Sequence, residues 1–213
     1  MALNASTASR FPATHAVDAL RLRDLLLQAH EAEHGNAQVL ASALRCATHG
    51  DLARRWRDML ERARRRERAL MLVLQQLDLG LRSETSGRRI AANLTSALLA
   101  AMREAQETGD ATAAQVVAAE CVEHAAIRVH RVWELIGHLA HASPDETGRT
   151  LDSAFDSAPR DDGELYGSRG WVRELWIDAL GLPAVLPPPG RPMPPLDTAV
   201  PRLPWRSRER AEP

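Results

Sequence analysis

The stretch His30-Glu31-Ala32-Glu33-His34 decides between two kinds of protein. As a linear motif it matches H-E-x-x-H, in which two histidines one helical turn apart bind zinc and the glutamate activates water. As part of a long amphipathic helix, the same stretch places Glu33 on the apolar face. Carboxylates projecting from inward helix faces build the metal centres of four-helix bundles. The surrounding sequence must therefore distinguish a zinc hydrolase from a helical bundle.

The composition favours a helical domain of ordinary size. The chain has 213 residues, enough for one domain with an extension and a sizeable core. Hydrophobic residues make up 45%, but aromatic residues only 4%, so we expect an aliphatic, alanine-rich core. Such a core favours close helix packing, since strands prefer β-branched and aromatic residues. The formal net charge of −1 argues against a general nucleic-acid-binding protein.

The cysteine count and the hydrophobic pattern indicate the compartment. Cys46 and Cys121 are too few for a disulfide framework and are expected to be small buried side chains in a reducing environment. Residues 1–17 lack the basic start and apolar run of a secretory signal. No stretch approaches the ~18 consecutive apolar residues of a membrane span. We therefore expect a soluble, cytoplasmic protein without a membrane partner.

The apolar periodicity predicts an all-α protein with three regions. Residues 1–15 form a mobile lead-in, 16–180 a helical bundle and 181–213 a tail that is rich in proline and ends in a basic run. The expected helices cover residues 17–47, 52–79, 90–107, 111–141, 150–158 and 161–180. Asp51 is the expected N-cap of the second helix. The order predicts an antiparallel four-helix bundle with a helical crossover between its second and third long helices.

Two inward helix faces follow from the same spacing. The predicted inward face of the first helix consists of Leu22, Leu26, Ala29, Glu33, Ala37, Leu40 and Leu44. The predicted inward face of the crossover helix consists of Leu94, Leu98, Ala101 and Ala105. The second helix carries Glu67 on its inward face and many arginines on its other faces, which indicates a solvated surface.

The hairpin geometry places several acidic residues at similar heights. If the first two helices turn near His49, Glu33 lies sixteen residues before the turn and Glu67 eighteen after it. The difference corresponds to about 3 Å along the helix axis. Across the second hairpin, Glu164 falls within one helical turn of the level of Glu123. The predicted cluster near mid-bundle consists of Glu33, Glu67, Glu120, Glu123, His124 and Glu164.

Such a cluster requires compensating positive charge, because an isolated buried carboxylate costs several kcal/mol. Two divalent metal ions, iron or manganese, are one source of that charge. Arginine side chains are another, and Arg64 and Arg68 are the candidates for pairing with Glu67 or Glu120. The sequence leaves a metal site and a salt-bridged core as alternatives.

The zinc hydrolase interpretation of His30, Glu31 and His34 lacks supporting context. The variable positions of the zinc motif normally hold uncharged residues, whereas the second one here is Glu33. No Gly-x-x-His continuation follows, and no strand pattern is present to form a substrate-binding edge. A zinc-dependent hydrolase is therefore the third hypothesis, after the two that a bundle allows.

The chain resembles the ferritin-like superfamily and, within it, the stress-associated bacterial branch called YciE/YciF-like. The resemblance spans about residues 18–180 and rests on Glu31-Ala32-Glu33 and on the stretch Ala118–Ile127, which reads AAECVEHAAI. It implies a bundle fold and a carboxylate/histidine metal site with Glu33, Glu123 and His124 as ligands. The chain departs from this pattern at three places. The second helix has Arg64 where the Glu-x-x-His pair starting at Glu61 would need a histidine, Ala126 replaces a carboxylate, and Gly163-Glu164 stands where Glu-His is expected.

Two main functional hypotheses follow from the bundle. The first is a ferritin-like, stress-associated protein with a partial site for two divalent metals, iron or manganese, whose chemistry would be of the oxidoreductase type. The second is a metal-free bundle that acts by self-association or partner binding through its arginine face and tail. Under both hypotheses we expect a homo-oligomer. The proline-rich tail either extends along or away from the bundle as an ordinary chain terminus or serves as a docking segment for a protein partner.

Overall fold

The computed structural model describes residues 17–158 and 162–183, and within them the regular structure is entirely helical. The six helices are α1 (Ala19–Ala43), α2 (Gly50–Gln76), α3 (Ser86–Glu107), α4 (Ala111–Ala142), α5 (Glu146–Ser157) and α6 (Asp162–Ala179). The all-α prediction is confirmed, and all six helices lie close to the predicted ranges. The lead-in at residues 1–15 and nearly all of the tail lie outside the described residues. None of the described helices is long and apolar enough to cross a bilayer.

Short acidic side chains begin three of the helices. The carboxylate of Asp18 accepts from the backbone N–H groups of Leu20 and Arg21, and Asp110 and Asp145 cap α4 and α5 in the same way. The prediction of Asp51 as the N-cap of α2 is wrong. The helix begins one residue earlier, at Gly50, so Asp51 lies inside the first turn, where a negative charge also favours the helix dipole.

Two helices organise the packing. Helix α1 packs against α2, α3 and α4, and α4 packs in addition against α5 and α6. One apolar cluster, which we call the turn-end cluster, joins the end of α1 to the start of α2 and includes Leu40, Leu52 and Trp56. The other, the open-end cluster, joins the start of α1 to the end of α2 and includes Leu26 and Leu74. The core is thus divided into two apolar halves along the helix axes.

The predicted inward face of α1 is confirmed at its centre, where Leu26, Ala29, Glu33 and Leu40 are fully buried. The predicted inward face of α3 is wrong at two of its four positions. Leu94 is half exposed and Ala101 is exposed, whereas Ala91 and Met102 are the residues buried against the core. The reason is steric: small side chains on this face let α3 approach α1 closely, which turns the larger Leu94 outward.

Helices α1 and α3 are in close contact at Gly35. A Cβ atom built there would overlap with the side-chain oxygen of Thr95 and would lie 3.0 Å from its Cβ. Gly35 is therefore required by packing, because its backbone conformation is ordinary helix. Gly170, in α6, has no such neighbour within 4 Å.

We predict that Gly35→Ala lowers the free energy of unfolding by about 1–3 kcal/mol, because the added methyl group overpacks the α1–α3 contact. Gly170→Ala is the matched control, and it should raise stability by about 0.5–1 kcal/mol, as expected for glycine replaced within an open helix. Urea denaturation followed by circular dichroism measures both. Equal effects of the two substitutions would contradict the close packing at Gly35.

Candidate functional site

A charged layer separates the two apolar halves of the core. It consists of Glu33 from α1, Arg66 from α2 and Glu164 from α6, and we call it the ionic layer. Glu33 is 0% exposed, Arg66 3% and Glu164 8%. Along α2, Ala63 belongs to the turn-end cluster and Leu70 to the open-end cluster, so Arg66 lies between them.

The guanidinium group of Arg66 joins both carboxylates. Its Nε donates to Glu33 Oε1 at 2.6 Å. Its Nη1 and Nη2 donate to the two oxygens of Glu164 at 3.3 and 3.2 Å. The contact with Glu164 is the two-pronged arrangement that a planar guanidinium forms with a carboxylate, and it adds geometric specificity as well as energy.

Two further side chains complete the layer. Arg62, one helical turn before Arg66, donates its Nε to Glu164 Oε1 at 2.5 Å. The indole N–H of Trp133, on α4, donates to Glu33 Oε1 at 2.7 Å. Two arginines therefore face two glutamates, and four helices contribute to one network.

Burial and neighbouring charges shift the pKa values of Glu33 and Arg66. Burial raises the pKa of Glu33, while the Arg66 guanidinium and the Trp133 N–H oppose that rise. Burial alone would lower the pKa of Arg66, but the adjacent carboxylates Glu33 and Glu164 raise it. Arg66 thus keeps its proton. Among the described residues, Glu33 Oε2 has no hydrogen-bond partner, so the carboxylate is held through one oxygen.

The other predicted ligands have separate partners. Glu67 Oε1 lies 2.8 Å from His34 Nδ1, Glu120 accepts from the indole of Trp176 at 2.8 Å, and Glu123 accepts from Arg169 at 3.3 Å. His124 is exposed beside α3. Of the six predicted residues, the structure brings Glu33 and Glu164 together on Arg66. Across residues 17–158 and 162–183, no three His, Cys, Asp or Glu side chains are grouped so that they could hold a metal ion.

The predicted register of the first hairpin is confirmed. Glu33 and Glu67 were expected at one height, and the contacts of Glu33 with Arg66 and of His34 with Glu67 place them there. The choice of arginines is wrong: Arg64 and Arg68 are exposed, and Arg66 and Arg62 bind the carboxylates.

A sequence signal for Arg66 was present. It lies three residues after Ala63 and four before Leu70, both of which belong to the buried face. Arg62 precedes it by one helical turn, on the same side of the helix. A basic pair at this spacing, one member of which interrupts an apolar face, indicates a buried salt bridge.

The H-E-x-x-H stretch has its own contacts. Glu31 Oε2 accepts from Arg88 Nε at 2.9 Å. His34 Nδ1 faces Glu67, and its Nε2 lies 2.9 Å from the amide nitrogen of Gln38. Burial lowers the pKa of His30, which keeps that ring neutral near pH 7. The zinc hydrolase hypothesis stays a prediction, while the structure gives Glu31 and His34 partners within the protein.

A cavity of about 300 Å³ adjoins the ionic layer between α4, α5 and α6. Arg66, Glu164 and Trp133 line it together with His130 and Glu134, whose side chains lie 3.2 Å apart. Two charged groups of the ionic layer, Arg66 and Glu164, therefore form part of the wall of this cavity.

Comparisons with known protein families, curated proteins and solved structures found no match for this chain.

We predict that Arg66→Met lowers the free energy of unfolding by about 3–5 kcal/mol, because it leaves the buried carboxylate of Glu33 without a cation and removes one of the two arginines that bind Glu164. Arg64→Met, two residues away on the exposed face, is the matched control and should change stability by less than about 0.5 kcal/mol. Urea denaturation measures both. If Arg66→Met does not fold, Glu33→Gln gives the milder test. Wild-type stability in both Arg66→Met and Glu33→Gln would show that the ionic layer is unimportant.

Proposed function

We propose that the protein is a ferritin-like four-helix bundle that works without a metal centre. In this proposal α1, α2, α4 and the α5–α6 segment are the four rods, and α3 is the crossover. The observation that carries the proposal is the position of Arg66, whose guanidinium lies between Glu33 and Glu164. The positive charge that a metal ion would supply to these carboxylates is supplied by the side chain.

The charge balance supports this proposal. Among the described residues, Arg62 and Arg66 bring two positive charges to Glu33 and Glu164, so both carboxylates already have a cationic partner. A divalent ion at the same place would compete with Arg66 for these carboxylates and would be repelled by its charge. In this proposal the ionic layer fixes the relative heights of the helices and favours one packing arrangement over others, a known role of buried polar groups in helical bundles.

In the metal-dependent alternative, iron or manganese binds Glu33, Glu67, Glu123 and His124. Glu120 and Glu164 are further candidate ligands. Elemental analysis of the purified protein separates the two proposals. We expect much less than one iron, manganese or zinc ion per chain, and no rise in melting temperature when Fe²⁺ or Mn²⁺ is added, because a ligand that binds the folded state would stabilise it.

Retention of metal by the purified protein would contradict our proposal. Near-stoichiometric iron or manganese that Glu33→Gln removes, with helix content unchanged, would replace our proposal with a metalloprotein. Zinc that is lost in both His30→Ala and His34→Ala would instead favour the hydrolase.

A metal-free bundle needs a surface for its function, and the exposed side of α2 supplies one. Arg57, Arg64 and Arg68 are exposed, and the described residues give them no ion-pair partner. Their spacing of seven and four residues places them on one side of the helix. We infer that this arginine face binds an acidic protein surface, either of a second copy of this chain in a homo-oligomer or of a different partner. The stress-associated role implied by the resemblance belongs to the same proposal.

We predict that the triple substitution Arg57→Glu, Arg64→Glu and Arg68→Glu weakens binding to a fluorescent oligoglutamate peptide by at least about tenfold. Loss of several charge contacts at an exposed surface has this effect, and added salt should reproduce it. Fluorescence anisotropy measures the affinity, and sedimentation velocity measures self-association in the same samples. The matched control reverses the exposed arginines Arg82, Arg89 and Arg103. Equal losses in the two triple variants would contradict a specific arginine face.

A further inference from the structure

An open groove runs between α3 and α4. Its volume is about 490 Å³, and Gln28 of α1 forms part of its lining. The apolar walls come from both helices and include Ile90, Leu94, Ile127 and Val132. Ile90 is 55% and Leu94 50% exposed, so large apolar side chains face solvent here.

The ionisable groups that line the groove are basic. His124, Arg128 and Arg131 project from successive turns of α4, and none of the acidic side chains among the described residues lines the groove. Arg128 is the central one. Its Nη1 donates to the backbone carbonyl of Ala91 at 3.4 Å, but its Nη2 is buried and has no hydrogen-bond partner among the described residues.

The Nη2 of Arg128, which is unpaired within the described part of the chain, is energetically unfavourable. A buried N–H donor without an acceptor costs free energy, and a charged donor costs more than a neutral one. Burial also lowers the pKa of Arg128, as expected of a cation that lacks a nearby carboxylate. An anionic oxygen in the groove would neutralise the guanidinium and, with a rotation of the Arg128 side chain that exposes Nη2, would accept the missing hydrogen bond.

We propose that this groove binds a fatty-acid-like carboxylate, with its head group on Arg128 and its hydrocarbon chain along Ile90, Leu94 and Ile127. The groove spans residues 124 to 132 of α4, a length of about 12 Å at the helical rise. Its volume lies within the usual range for small-molecule sites, about 300–1,000 Å³. The proposal is independent of the arginine face and of the metal question.

The charge pattern selects this occupant over a purely apolar one. A neutral lipid would bury the apolar walls but leave Arg128 unsatisfied, whereas a carboxylate with a chain complements both. A second copy of the chain, or a partner helix, would need an acidic residue at the centre of a short apolar strip. A neutral lipid, a second copy of the chain and a partner helix are the competing occupants that the test distinguishes from a carboxylate.

The test titrates the full-length protein with dodecanoate, below the concentration at which it forms micelles, by isothermal titration calorimetry. We expect one site per chain and at least about tenfold weaker binding in Arg128→Gln, since a charge-assisted hydrogen bond is lost. Dodecanol, with the same chain but no charge, should bind at least about tenfold more weakly than dodecanoate to the wild-type protein.

Two matched substitutions test the apolar wall. Leu94→Glu, in the groove, should abolish dodecanoate binding, whereas Leu72→Glu, at a comparably exposed position of α2, should leave it unchanged. No binding to the wild-type protein, or equal binding of dodecanoate and dodecanol, would overturn the proposal. A dimer in sedimentation velocity that Leu94→Glu dissociates and Leu72→Glu does not would also overturn it, because the groove would then be a contact between chains.

Discussion

The guanidinium group of Arg66, buried between Glu33 and Glu164, is the constraint on which the rest of the structure depends. A buried charge is tolerated only when its partners are in place, and removing one partner leaves an uncompensated charge in the core. The contacts of Arg66 therefore fix the heights of α1, α2 and α6 relative to one another. The indole of Trp133 adds α4 to the same network, through its hydrogen bond with Glu33. Sliding any of these helices by one turn would break the layer.

The apolar halves of the core and the ionic layer have different roles. The aliphatic side chains on either side supply most of the burial, and packing of this kind tolerates many arrangements of similar volume. The ionic layer selects one arrangement, because its hydrogen bonds are directional and its charges must be balanced. In the proposed ferritin-like bundle, this layer would occupy the position of the metal ions. For this reason we propose that the functional surfaces are the arginine face of α2 and the groove beside Arg128.

Much of the fold could be predicted because it depends on local sequence. Helix ends follow from capping residues such as Asp18 and Asp110 and from glycine at the turns, and these act within a few residues. The register of α1 against α2 was predictable as well. A short turn ties the two helices together, so counting residues from the turn gives their relative height to within about one residue, as the contact of Glu33 with Arg66 shows.

The helical fold, the approximate helix positions and the buried acidic residue Glu33 all follow from the apolar periodicity of the chain, which acts over a few residues. The identity of the cation that compensates Glu33 instead depends on contacts between distant segments. Adjacent positions on a helix differ by about 100° in direction, so Arg64, Arg66 and Arg68 face different surroundings although they are close in sequence. Arg66 faces Glu164, which is 98 residues further along the chain, and no local pattern specifies that meeting. The rotation of α3 has the same origin, because its close contact at Gly35 is set by the shape of α1 rather than by the distribution of leucines in α3.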